Sequence, residues 1–135
     1  MQMNFVYRYL MICTLLGAAA HAQAAASLRN EIQLKLALRT SPPCCVVDAR
    51  AEAQRKTRAI ADALIFREGL KIKPTATVVV VADTDDRALA VARTIASAHP
   101  GKSVFAVEGG VSAWESVVGA ITAELPGGRA TEFVI

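Results

Sequence analysis

At 135 residues, 53% apolar and 20% charged, the chain is long enough for one small globular domain and too short for a second core. Its formal net charge of +3 is carried by cations scattered along the sequence with no basic stripe, which argues against a nucleic-acid partner. Outside the first 24 residues, one histidine and two cysteines leave few members for a metal cluster or a Cys/His relay.

The first element is a leader. "MQMNFVYRYLMICTLLGAAAHAQAAAS" has one cation, Arg8, then an uncharged apolar run from about Tyr9 to Ala20, then the small-x-small pattern "AHAQA". This anatomy predicts a secretory signal peptide over residues 1–24, cleaved after Ala22 or Ala24, and an exported product, periplasmic or secreted. The apolar run of ~12 residues falls short of the ~20 that a spanning helix needs, so no stable membrane span is expected after cleavage. "LMICT" lacks the small residue expected before a lipid-modified cysteine at Cys13. Cleavage removes Arg8, Cys13 and His21, which lowers the charge from +3 by one to +2 and leaves Cys44, Cys45 and His99 in a domain of residues 25–135.

In that domain "SLRNEIQLKLALRT" is ambiguous: Leu28, Ile32 and Leu36 repeat at helical spacing, while Ile32, Leu34, Leu36 and Leu38 alternate as in a strand. A helix ending before Pro42 and Pro43 is the favoured reading. "CCVVDAR" predicts a short strand, "EAQRKTRAIADAL" a helix, and "LIF" a possible short strand. "TVVVVA" has no polar alternation, as expected of a central strand covered on both faces of a parallel sheet. "DTDDRALAVARTIASA" predicts a helix burying Leu89, Ala92, Ile95 and Ala96, closed by "HPG". "KSVFAV" predicts a strand, "EGG" a tight turn, and "VSAWESVVGAI" a helix burying Val111, Trp114 and Val118. Alternating strands and helices define an α/β fold with a small, mostly parallel sheet flanked by helices. Functional loops of such sheets lie beyond the carboxyl ends of the strands, here after Asp48, Val81 and Val107.

Three segments then carry a resemblance: "VVDAR" (Val46 to Arg50), "VVVVADTDDR" (Val78 to Arg87) and "VFAVEGGVSAW" (Val104 to Trp114) together resemble a single rhodanese-like domain over roughly Cys44 to Pro126. The last segment is the most specific. The middle departs: where the family usually has Gly-His-Ile-Pro-Gly-Ala, "RAIADA" (Arg58 to Ala63) keeps Ile60 and Ala63. The resemblance implies sulfur transfer through a cysteine that opens a Cys-x-x-Gly-x-Arg loop, its thiolate sheltered by backbone N–H groups and the positive end of the next helix. Aligned on Arg87, the cysteine position falls on Ala82 and the glycine position on Asp85. A methyl group cannot carry a persulfide. Asp83, Asp85 and Asp86 also set negative charge where the family receives anionic thiosulfate, and Arg87 offsets only one of them. The expectation is a catalytically inactive member with a degenerate loop from Ala82 through Asp83, Thr84, Asp85, Asp86 and Arg87, without cofactor or bound metal, kept as a binding or regulatory module for a protein partner.

Alternatives attach to two groups of residues. Asp83 or Thr84 can cap the following helix and the acids of its first turn complement the macrodipole; alternatively "DTD" (Asp83 to Asp85) resembles the first motif of haloacid-dehalogenase-type phosphatases, in which such a pair holds magnesium and one aspartate attacks. Cys44 and Cys45 read as packing residues, Cys45 with Val47 on one side of the strand and Cys44 with Val46 on the other. They could instead be disulfide-linked, redox-active or relocated nucleophiles, although an intervening strand of four or five residues at ~3.3 Å each sets them about 15 Å from the loop after Val81. Asp48 and Arg50 read as an ion pair bracing a loop, and Arg87 as a partner of Asp83 or Asp86. Gly109 and Gly110 serve a turn, since no third glycine completes a nucleotide-binding motif.

Overall fold

A computed structural model describes residues 25–124; the signal peptide expected over residues 1–24, with its expected cleavage site, and residues 125–135 lie outside the described residues. Five strands, β1 (Ala26–Arg29), β2 (Cys45–Asp48), β3 (Leu64–Ile65), β4 (Val78–Val81) and β5 (Val104–Val107), form one sheet in the order β1-β5-β4-β2-β3. Every pairing in it is parallel. Four helices, α1 (Glu31–Thr40), α2 (Glu52–Thr57), α3 (Asp85–Ala98) and α4 (Gly110–Glu124), follow β1, β2, β4 and β5, while β3 runs on to β4 without a helix. The α/β class and the helix-flanked parallel sheet are therefore as expected.

The four valines of β4 explain the layering. Val78 and Val80 pack with Val47, Val91, Ala92 and Ile95 beneath α3. Val79 and Val81 pack with Leu34, Leu38, Trp114 and Val117 beneath α1 and α4. All four valines are fully buried, so a strand without polar alternation is covered on both faces. At ~1.5–3 kcal/mol per fully buried branched side chain, this strand is a main source of the fold's hydrophobic stabilisation.

The ambiguous segment resolves into both readings in succession. Residues 26–29 pair with β5, and Asn30 then opens α1 through a capping box: its side chain accepts the Gln33 N–H at 2.9 Å, and its own N–H donates to the Gln33 side chain at 2.9 Å. The expected helical face is corrected. Leu28 lies in β1, Ile32 and Leu36 are 70% and 62% exposed, and Leu34 and Leu38 are buried. Two apolar pairs at i,i+4 spacing, Ile32–Leu36 and Leu34–Leu38, compete for the inner face. Packing against β4 and α4 selects between them, burying Leu34 and Leu38 beside Val79, Val81, Trp114 and Val117, while at the helix ends the Ser116 hydroxyl donates to Glu31 at 3.0 Å and Arg39 pairs with Glu124.

Three further expectations are adjusted. The helix foreseen from Glu52 to Leu64 is only the six-residue α2, which buries none of its residues. It stops at Arg58, whose carbonyl is taken by the Arg50 guanidinium at 2.7 Å, and Asp62 beyond it has φ of 56°. Leu89 is half-buried, and Ala88 and Val91 join Ala92, Ile95 and Ala96 on the inner face of α3. In α4, Trp114 is buried as expected, but Ala113, Val117 and Ile121 complete its inner face, with Val111 and Val118 at the margin.

Candidate functional site

Because the strands are parallel, their carboxyl ends and the loops after them share one edge of the sheet. Asp48 is paired with Val81 and Val80 with Ala106, which sets the loops after β2, β4 and β5 side by side. Between them lies a cavity of about 440 Å³, with Ala51 and Gln54 on one flank, Ala82 and Asp83 at its base, and Gly110 and Ser112 on the other flank.

Ala82 is 1% exposed and presents a methyl group where β4 ends. The three polar residues after it are spent on the backbone. Asp83 accepts the N–H of Ala51 at 2.7 Å, at the start of α2. Thr84 is the N-cap of α3 and accepts the Arg87 N–H at 3.1 Å. Asp85 accepts the Gly109 N–H at 3.0 Å, in the turn before α4. Asp83 and Asp85 thus stitch the β4–α3 loop to both neighbouring loops, while Thr84 closes its own helix. Asp85 and Asp86 occupy the first turn of α3, where negative charge complements the helix dipole. Arg87 does not bridge Asp83 or Asp86; its guanidinium lies over the Phe66 ring, 5.5 Å from the centroid.

The Asp48–Arg50 pair is the buried brace beneath this edge, the two residues being 3% and 4% exposed. The guanidinium donates to both carboxylate oxygens, at 2.9 and 2.8 Å, and the Arg50 N–H adds a third bond at 3.1 Å. This bidentate contact, first among its causes, holds the Arg50 pKa above its ordinary value. Arg50 also holds the Arg58 carbonyl, so a two-residue motif at the end of β2 fixes the segment after α2. Arg58 in turn reaches across to α4, pairing with Glu115 and donating to the Ser112 hydroxyl at 3.1 Å. These rim contacts carried no signal in the sequence, since Arg58 opens the segment that departs most from the family pattern.

Gly109 and Gly110 have φ of 92° and 69°, left-handed angles that suit glycine. At Gly110 a Cβ would also come within 3.4 Å of the Ala82 carbonyl oxygen. The turn therefore lets the start of α4 approach the end of β4 closely.

Cys44 and Cys45 are both free and lie at the amino end of β2, where Cys45 pairs with Val78 at the far edge from Ala82. The Cys44 N–H donates to the Thr77 carbonyl at 2.9 Å and its thiol to the Ala76 carbonyl at 3.5 Å. Cys44 packs in the same cluster as Cys45 and Val47, not beside Val46 on the opposite face, because it precedes the strand and escapes its alternation. Burial, and then the neighbouring Cys44, pushes the Cys45 thiol up to about 12. A thiol in that setting is protonated at neutral pH and a poor nucleophile.

For the phosphatase alternative, the carboxylates of Asp83 and Asp85 would have to converge; they turn instead toward Ala51 and Gly109 on different loops. Among the described residues no group of three or more His, Cys, Asp or Glu side chains is placed to hold a metal ion. No helix of the described residues is long and apolar enough to cross a membrane.

Fold and site together define a helix-flanked, all-parallel α/β domain with a loop-built cavity at the carboxyl edge of its sheet. No protein-family model matches the chain, and no curated protein matches it significantly.

Proposed function

We propose that this chain is an exported, catalytically inactive rhodanese-like domain that works as a binding or regulatory module, with a protein partner entering the cavity at the carboxyl edge. The observation that carries the reading is Ala82. It stands at the end of the central strand, at the base of the cavity, where the resemblance calls for a thiolate, and it offers only a methyl group. Two further features support it. Asp83 and Asp85 already satisfy N–H groups of the neighbouring loops that an incoming anion would use, and their charge opposes thiosulfate. Cys45, a candidate replacement, lies at the other edge of the sheet with its thiol protonated. The test is a thiosulfate-to-cyanide sulfur-transfer assay on the exported protein, with the Cys44→Ala/Cys45→Ala double variant beside it. Background rates for both are expected. Turnover that survives in the double variant would overturn the inactive reading, and turnover that vanishes in it would make the protein a sulfurtransferase or thiol-redox enzyme of relocated chemistry. Phosphomonoester hydrolysis with magnesium, lost in Asp83→Asn, would replace it with the phosphatase reading.

A further inference from the structure

The amino edge of the sheet, opposite the cavity, carries two adjacent thiols in an arrangement that strand geometry alone does not give. Consecutive residues of a strand point to opposite faces, so neighbouring cysteines would part. Here they stay together. Cys44 precedes β2 and packs with Cys45 and Val47 in the cluster beneath α3, while Val46 packs on the other face. Both cysteines are free, and the Cys44 thiol reaches that of Cys45 as a hydrogen-bonding neighbour. The backbone fixes the pair from both sides. Pro43, just before it, is fully buried, the Cys44 N–H donates to the Thr77 carbonyl at 2.9 Å, and Cys45 is paired with Val78. Cys44 is 8% exposed and Cys45 is half-buried, so a ligand meets the pair from the Cys45 side.

Two sulfurs already held side by side form a chelating site for a soft element, with little further ordering needed on binding. The surroundings select which element. Burial, the first cause, pushes the Cys45 thiol up to about 12, so a product that carries net charge is disfavoured there. Two thiolates around monovalent copper leave a net negative charge, whereas two thiolates closing on a trivalent arsenic that bears one carbon substituent leave none. We infer that Cys44 and Cys45 form a dithiol site for organic trivalent arsenicals, acids in which arsenic carries one carbon substituent and two hydroxyls. Two As–S bonds form and two As–O bonds break. Each thiol proton leaves with a hydroxyl as water, the arsenic stays trivalent, and nothing is oxidised or reduced. The hydrogen bond surrendered is that of the Cys44 thiol to the Ala76 carbonyl at 3.5 Å, and a thiol is a weak donor. This inference stands independently of the proposed function.

The experiment uses the full reduced chain with Cys13→Ser, phenylarsine oxide as the probe, and excess glutathione as a competing monothiol. Native mass spectrometry is expected to show one phenylarsenic group per chain with two protons lost, retained against glutathione and removed by the dithiol dimercaptopropanol. Cys44→Ser and Cys45→Ser each leave one thiol of the pair and should weaken retention about 100-fold, the scale of a lost second attachment. The probe should also raise the thermal unfolding midpoint of the Cys13→Ser chain, because the folded state holds both thiols together and the unfolded state does not. That measurement does not depend on the serine variants folding. Full retention in either serine variant, loss of the group to glutathione, or an unchanged midpoint would overturn the inference. A lowered midpoint would overturn it too, by showing that the unfolded chain is the better ligand.

Discussion

The Asp83 carboxylate accepts the backbone N–H of Ala51 at 2.7 Å, so an acid in the loop after β4 ties the start of α2 to the wall of the candidate site. Ala51 has no side-chain cap of its own. Asp83 therefore does for a neighbouring helix what an N-cap residue does within its own. We expect Asp83→Ala to cost about 0.5–2 kcal/mol, the range of an N-cap loss, and Asp83→Asn to cost less because it keeps an acceptor. Urea unfolding of the two variants checks the order. Equal stabilities for Asp83→Ala and the parent chain would mean that the bond contributes nothing in water.

Restoring the missing thiol alone should not restore sulfur transfer. Ala82→Cys keeps Asp83 and Asp85 on the amides of Ala51 and Gly109, and it keeps their repulsion of thiosulfate. At an effective dielectric near 20, each such charge within several ångströms costs the anion on the order of a few kcal/mol, so Ala82→Cys is expected to stay within about threefold of background. Adding Asp85→Gly should raise the rate. Substantial turnover in Ala82→Cys by itself would show that the acids do not guard the site.

The Cys45 thiol, held up to about 12, governs both reactivity and pH dependence. At pH 8 a thiol with that pKa is ionised to about one part in ten thousand, so alkylation by iodoacetamide should run over ~100-fold slower than for a free thiol of pKa ~8.5. Mass spectrometry of the labelled chain measures this directly. Stability should follow. Since the folded-state pKa lies above the unfolded one, the folded state retains a proton that the unfolded state gives up, and stability is full below the unfolded pKa and falls as pH rises toward the folded value. A Cys45→Val variant should lose this part of the alkaline dependence between roughly pH 9 and 11.

The two apolar pairs of α1, Ile32–Leu36 and Leu34–Leu38, separate cleanly by substitution. Leu34→Ala removes a fully buried side chain packed near Val79, Val81 and Trp114 and is expected to cost about 2–5 kcal/mol. Leu36→Ala, on the exposed face, should fall within about ±0.5 kcal/mol. Thermal melts of both variants decide which face packs inward.

Much of this arrangement was legible in the residues. The unbroken valines of β4 announced a strand covered on both faces, the Pro and Gly punctuation marked the ends of α1, α3 and β5, and the alternation of strand and helix defined a parallel α/β sheet. The carboxyl-edge location of the loops followed from that parallelism. The place of Ala82 at the end of β4 followed from the valine run before it. Local patterns of this kind survive in one dimension since they report on one element's own period and caps.

What the tertiary structure decided were choices between locally equal options. Leu34 and Leu38 face the sheet while Ile32 and Leu36 do not, a choice made by packing against β4 and α4 that the period of α1 alone left open. Asp83 and Thr84 were equal candidates to cap α3; Thr84 does so, and Asp83 is drawn to Ala51, 32 residues earlier in the chain. Arg87 turns to the Phe66 ring rather than to the nearby acids. The order of residues alone dictates the periods, the breaks and the alanine at the end of β4. Which polar side chain meets which backbone amide depends on distances between loops far apart in the chain, and those distances exist only once the parallel sheet has brought their strands together.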